Sequence, residues 1–373
     1  MRPPFEFTVF YAYRDAPERR LALSTPLGAP DRYRLFGLDE IEGRGARVHH
    51  NLERTTAPVW ARAASSALNG SLYRLGGYGG DFASMLPSLR ELNASDVVFS
   101  TVDTVGIPLL LLKRGGLVRV PLVYVSIGLP ERLEQLRGAR MRSLYAGALR
   151  GARTIIAYSE SEAERLRGWI GPAAPPVVFV PFGVDPHVFR PVPESEPDVD
   201  VLSIGADPRR DFELLLTIAA RRPELSFRIV ASAEHARALG GRSLNVEVET
   251  DIPLEQVRDR LARAKVVALP VSDNSYSGAT TVLLQAMAMA KPVVVSRTAA
   301  IAEGYHLEDG VNCRLVEPGN VDAFEHALLE EVTGAGAVSN LGARARQTVE
   351  RGLSWERYTE ALWQVLRGIS PRP

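Results

Sequence analysis

Apolar and polar positions follow two alternating patterns along this chain. Near-continuous apolar runs at residues 5–11, 46–49, 96–100, 121–126 and 153–158 read as strands, because a strand covered on both faces needs apolar side chains at successive positions. Between them, segments 33–44, 104–114 and 130–150 place apolar residues three and four apart and read as helices. The second half repeats the scheme, with strands at 200–204, 226–231, 264–270, 292–296 and 313–316 and helices at 211–220, 254–262, 280–290 and 321–331. Strands alternating with helices predict mostly parallel sheets with helices on both faces. Two doubly wound α/β units in tandem are the simplest arrangement. The proline-rich, acidic stretch 191–197 reads as a linker, and Ser354 reads as a cap on a terminal helix whose Trp355, Tyr358, Leu362 and Leu366 share one face.

Length agrees with two units, since 373 residues exceed one ordinary core. A hydrophobic fraction of 46% and a charged fraction of 24% are those of a globular protein, not a disordered or collagenous one. The single cysteine, Cys313, excludes an internal disulfide, and no Cys/His grouping has metal-ligand spacing, the His49-His50 pair included. Residues 5–11 lack the uninterrupted apolar core of a signal peptide and 109–112 is too short to cross a bilayer, so the expectation is a cytoplasmic protein. Net charge is zero, yet residues 1–183 carry six more basic than acidic side chains and the remainder the reverse. The first half is therefore the one to meet an anionic partner. Within it, 130–153 holds six arginines against Glu131 and Glu134, which reads either as a solvated helical face or as a peripheral contact with anionic lipid at the inner face of a membrane. Aromatics do not interleave with these arginines, so a nucleic-acid platform is not expected.

The candidate chemistry lies mainly in the second half. Ser277-Gly278-Ala279-Thr280-Thr281 opens an apolar helix, and small residues there let backbone N–H groups and the positive helix end approach an anion. Upstream, Ser203-Ile204-Gly205-Ala206-Asp207-Pro208-Arg209-Arg210-Asp211 ends a strand in glycine and sets two arginines before the next helix. Arg209 and Arg210 read either as a phosphate clamp or as turn residues charge-paired with Asp207 and Asp211. These segments, together with Val180-Pro181-Phe182-Gly183-Val184-Asp185, Glu303-Gly304-Tyr305 and Asp309-Gly310-Val311-Asn312, occur in an order that resembles the retaining GT-B glycosyltransferases of family 4. The likeness is strong over the second half and loose over the first.

The resemblance implies a GT-B fold: two Rossmann-like doubly wound domains facing each other across a cleft, with the C-terminal helix crossing back to the first. The corresponding boundaries are an acceptor-binding domain at 1–190, a nucleotide-sugar-binding domain at 191–352 and a terminal helical segment at 353–373. It implies transfer of a sugar from a nucleotide-diphosphate sugar, a UDP-sugar being the leading expectation, to a hydroxyl acceptor with retention at the anomeric carbon. No cofactor and no metal are implied, arginines and a helix dipole taking the cation's role. Arg209 and Arg210 are then the diphosphate clamp, Ser277, Gly278, Ala279, Thr280, Thr281, Gln285 and Glu303 the donor site, and Gly28 and Ser126 acceptor-side positions. The chain departs from the family at the signature glutamate pair, where it carries Ser277 and Gln285, and at a common histidine, where it carries Ser126. A neutral amide at Gln285 offers a diol one acceptor and a donor in place of an anion's two acceptors. A catalytically silent GT-B protein that binds a sugar nucleotide or partner is thus a second reading, and a GT-B epimerase or phosphorylase a third.

Overall fold

In the computed structural model the described residues are 7–193, 195–239, 241, 243–274, 278–334 and 340–369. They contain two six-stranded, all-parallel sheets. The first is built from β1 (Phe7–Ala12), β2 (Ala46–His50), β3 (Val97–Ser100), β4 (Leu122–Ser126), β5 (Thr154–Ala157) and β6 (Val177–Phe179), in the order β2-β1-β3-β4-β5-β6. The second is built from β7 (Val199–Gly205), β8 (Phe227–Ala231), β9 (Val246–Thr250), β10 (Ala264–Leu269), β11 (Val293–Ser296) and β12 (Arg314–Val316), in the order β12-β11-β10-β7-β8-β9. Central strands are buried throughout, β3, β4 and β11 at every position, which is why they read as unbroken apolar runs. In each sheet the strand order reverses beside the first strand of that sheet, between β1 and β3 and between β7 and β10. Such a reversal opens a crevice at the carboxyl ends of the strands.

By internal contacts the chain divides into one unit of residues 1–180 with 359–373 and another of residues 181–358. Within the first unit the terminal helix Trp355–Arg367 contributes Trp363, which stacks on Phe7 of β1, and Glu360, which pairs with Arg44 at 2.7 Å. Within the second, Phe182 packs on Trp355 and Tyr358, and its backbone N–H donates to the Tyr305 hydroxyl at 3.2 Å.

Several expected elements differ. The helix expected at 130–150 is two helices, Leu129–Glu134 and Gly138–Leu149, parted at Arg137-Gly138, where Gly138 takes φ +78°. The basic residues of 130–153 therefore do not form one continuous face. Residues 33–44 begin as a 3-10 turn and only become α-helical at Leu38–Gly43, after Phe36 and Gly37 have both turned left-handed. A sixteen-residue helix, Val59–Arg74, was absent from the sequence reading, as were the edge strands β6 and β9. Among the described residues no helix is long and apolar enough to cross a membrane.

Candidate functional site

The second sheet's crevice is built from the segments that leave β7, β10 and β11. The first two are zipped together: Arg210 bridges Val271 antiparallel, Ser272 N–H donates to Arg209 C=O at 2.8 Å, and Asp211 N–H donates to Pro270 C=O at 3.0 Å. Asp211 then caps the helix Phe212–Arg221 by accepting from Leu214 N–H at 3.1 Å. The β11 exit joins through Ser296, whose hydroxyl accepts from Val271 N–H at 2.9 Å. Three loops far apart in sequence thus form one connected rim.

Arg210 and Arg209, adjacent in sequence, go separate ways. Arg209 is exposed, whereas Arg210 is 5% exposed and folds back over the end of β7. Its Nη2 donates to Ser203 Oγ at 3.1 Å and to Ile204 C=O at 2.6 Å, and its guanidinium lies 5.6 Å from the Phe212 ring centre. Gly205 makes this path available, since a Cβ there would stand 2.5 Å from Arg210 Nε. Arg210 Nε and Nη1 are buried with no hydrogen-bond partner among the described residues. Burial lowers the guanidinium's pKa to about 10, so it stays a cation at neutral pH. A buried cation with two unmet donors is costly unless a partner arrives.

Two further orphans sit on the same rim. Thr280, the first residue of the helix Thr280–Ala288, is 3% exposed, and Thr298, just beyond β11, is 1% exposed. Both hydroxyls are buried without a partner among the described residues. Gly278 and Ala279 form the turn into that helix, where Ala279 offers no side-chain cap. The Asp207 carboxylate stands against Gly278, such that a Cβ there would meet it at 3.0 Å. A carboxylate beside a helix N-terminus occupies the place an anionic ligand would favour.

Of the other donor-side residues, Thr281 is exposed, Gln285 is buried in the same helix, and Glu303 is exposed at the end of the short helix Ala299–Ala302. Ser277 lies outside the described residues. Sequence reasoning passed over Thr298 and took Asp207 only as a charge partner. The signal for Thr298 was its place two residues past an apolar strand, where ligand-facing residues gather.

The first unit holds the acceptor-side positions. Gly28 has φ +83° in a turn closed by Ala29 N–H to Pro26 C=O, and a Cβ there would meet nothing within 4 Å. A glycine suits that backbone angle, and a side chain there would meet no other part of the protein. Ser126 ends β4, is fully buried, and donates to Glu162 Oε1 at 2.7 Å. Among the described residues no group of three or more His, Cys, Asp or Glu is placed to hold a metal.

Residues 10–183 match the family model described as a glycosyl transferase 4-like domain, and residues 202–333 match the model described as glycosyl transferases group 1. The two matches fall one on each six-stranded sheet. Its fold is GT-B, two Rossmann-like units in tandem. Sucrose-phosphate synthase from Thermosynechococcus elongatus superposes with TM-score 0.72 at 16% identity, over 98% of this chain and 99% of that one. HepE of Anabaena, solved in complex with UDP-glucose, gives 0.69 at 15% identity over 97% and 100%. Among curated proteins, the MMP alpha-(1->4)-mannosyltransferase of Mycolicibacterium hassiacum is 27% identical over 187 residues. That match covers 48% of this chain and 44% of the relative, so the chain spans under half the length of the curated relative it matches.

Proposed function

We infer that this chain transfers a glycosyl unit from a nucleotide-diphosphate sugar to a hydroxyl acceptor, with a UDP-sugar as donor and with retention at the anomeric carbon. The observation that carries the reading is the set of buried polar groups on one rim that have no partner among the described residues: Arg210 Nε and Nη1, Thr280 Oγ1 and Thr298 Oγ1. Natural proteins rarely leave such groups unpaired, and a diphosphate or sugar supplies the missing acceptors and donors. HepE, the neighbour solved with UDP-glucose, lends the choice of donor.

In this reading Arg210 donates to the diphosphate and holds the charge that develops on it as the bond to the anomeric carbon breaks. Gly278 to Thr281 present backbone N–H groups, and Arg209, at the exposed end of the loop, supplies a second positive charge. Gln285 and Glu303 meet ribose or sugar hydroxyls, Ser277 a sugar hydroxyl, and Gly28 and Ser126 shape the acceptor side. The acceptor oxygen attacks the anomeric carbon from the face the diphosphate leaves, and its proton passes to a departing phosphate oxygen. No protein base and no resident metal is required for that transfer. The enzyme works in the cytoplasm.

Isothermal titration with UDP, GDP and UDP-glucose, followed by UDP release from UDP-glucose in the presence of candidate acceptors, tests this. Binding of UDP with turnover supports it. Binding without turnover of any donor supports the silent reading that the amide at Gln285 favours, and no nucleotide binding at all removes both.

A further inference from the structure

The first unit contains a polar arrangement that neither sheet geometry nor donor chemistry accounts for. At the carboxyl end of β4, three successive donors turn away from the main-chain ladder and enter two buried carboxyl groups. Ser126 Oγ and Gly128 N–H each donate to Glu162 Oε1 at 2.7 Å. Ile127 N–H, between them, donates to Asp103 at 3.2 and 3.3 Å, and the Tyr124 hydroxyl donates to the same carboxyl. Glu162 is 0% and Asp103 5% exposed. They come from the first turns of different helices, Glu160–Ile170 and Asp103–Arg114, so the turn is gripped from two sides.

Gly128 stands at φ +75°, so the turn depends on a left-handed residue as well as on these bonds. Glu162 Oε2 is buried with no partner among the described residues. Burying two carboxyls, one half satisfied, is a poor way to gain stability, because an apolar packing of the same volume avoids the desolvation cost. What the arrangement does supply is a fixed position for three consecutive backbone and side-chain donors. They lie at the ligand-facing end of a parallel sheet.

We propose that Glu162 is a positioning residue for the acceptor side of the transfer, locking the Ser126–Gly128 turn in the orientation that turnover requires. The proposal rests on the glycosyl-transfer reading for its catalytic part. The groups facing Glu162 are Asp103 from the helix Asp103–Arg114, Tyr124 from β4 and, beyond them, Tyr78 and Arg132. Burial above all, with Asp103 adding repulsion, raises the Glu162 carboxyl to about 8, and its hydrogen bonds from Ser126, Gly128 and Leu129 only partly oppose this. Glu162 is therefore largely neutral at pH 7 and ionises within an accessible range, forcing a charge between Asp103 and the turn.

The test compares wild type, E162A and E162Q in three measurements on the full chain. They are UDP affinity by titration, UDP release from UDP-glucose between pH 6 and 9.5, and hydrogen exchange of the peptide covering 126–134 over the same range, corrected for intrinsic rates. Wild type should show a step in turnover and in exchange of 126–134 near pH 8. E162A should lose at least about tenfold in turnover with its UDP affinity held within about twofold, and exchange faster at 126–134 at every pH. E162Q, an isostere of the neutral acid, should recover most of that turnover and abolish both pH steps. Turnover and pH profile unchanged in E162A overturn the proposal, as does a loss of UDP affinity, which marks a general structural role. Should wild type bind UDP yet turn over no donor, the glycosyl-transfer reading fails on its own. Exchange then decides the positioning claim: identical, pH-independent protection of 126–134 in all three proteins overturns it.

Discussion

Replacing Arg210 by methionine separates binding from folding at the candidate donor site. Lowering the guanidinium's pKa from 12.5 to about 10 corresponds, at about 1.4 kcal/mol per pH unit, to roughly 3 kcal/mol of unfavourable burial at neutral pH. Against this stand the two bonds from Nη2 and the contact with Phe212. Charge-assisted bonds contribute about 1.5–3 kcal/mol each and an Arg–aromatic contact about 1. The bonds and the contact together, about 4–7 kcal/mol, exceed the burial cost by about 1–4, so Arg210→Met should destabilise the unliganded protein by no more than about 4 kcal/mol. Ligand binding should respond very differently. Losing two charge-assisted bonds to a diphosphate costs about 3–6 kcal/mol, a factor of at least about a hundred in affinity. UDP at about a hundred times the wild-type dissociation constant stabilises wild type by about 2.7 kcal/mol and should stabilise the variant by no more than about 0.4. Thermal unfolding with and without UDP, backed by titration calorimetry, reads both quantities. An undiminished UDP response in R210M refutes the assignment of Nε and Nη1 to a ligand, and collapse of the unliganded protein shows that the side chain is a structural strut.

Asp207→Asn should tighten UDP binding several-fold in titration calorimetry, because it removes a negative charge beside the helix N-terminus where the phosphate belongs; weaker binding would instead make Asp207 a ligand group. Gly278→Val places atoms against the Asp207 carboxylate and should cut UDP affinity at least about tenfold, while circular dichroism and the unfolding midpoint without ligand stay near wild type. The Glu162 carboxyl is raised from 4.5 to about 8, so the folded state retains a proton that the unfolded state gives up. Its contribution to stability is full below about pH 4.5 and is lost as pH rises to about 8, by at most roughly 4–5 kcal/mol. Asp103, raised to about 6, acts in the same direction over a lower range. Urea unfolding of E162Q should therefore show a flatter decline between pH 5 and 8 than wild type, and parallel declines would contradict the carboxyl's burial as the cause.

The sheets were legible because buried parallel strands need continuous apolar runs, and 97–100, 122–126 and 293–296 have little else. The helix Val59–Arg74 was not, because its outward side carries Val59 and Trp60, 72% and 57% exposed, and its polar and apolar residues do not sort by face. Strand β9, Val-Glu-Val-Glu-Thr, lies at a sheet edge, where charged side chains are tolerated and the apolar run disappears. The break in 130–150 turns on one left-handed glycine inside an otherwise helical pattern. At the site, the glycine-containing entrance to the helix Thr280–Ala288 could be read directly. Which of two neighbouring arginines turns inward could not, because that depends on the room left beside Gly205. The carboxyl grip on the Ser126–Gly128 turn was equally hidden, its partners lying 24 and 36 residues away.

Gly205 has no functional group, yet the inward course of Arg210 depends on its missing methyl. An alanine there would come within 2.5 Å of Nε and send the guanidinium elsewhere, silencing the crevice while every polar residue around it kept its identity. Among homologous chains, activity should therefore track a hydrogen atom at this position as closely as it tracks any charge.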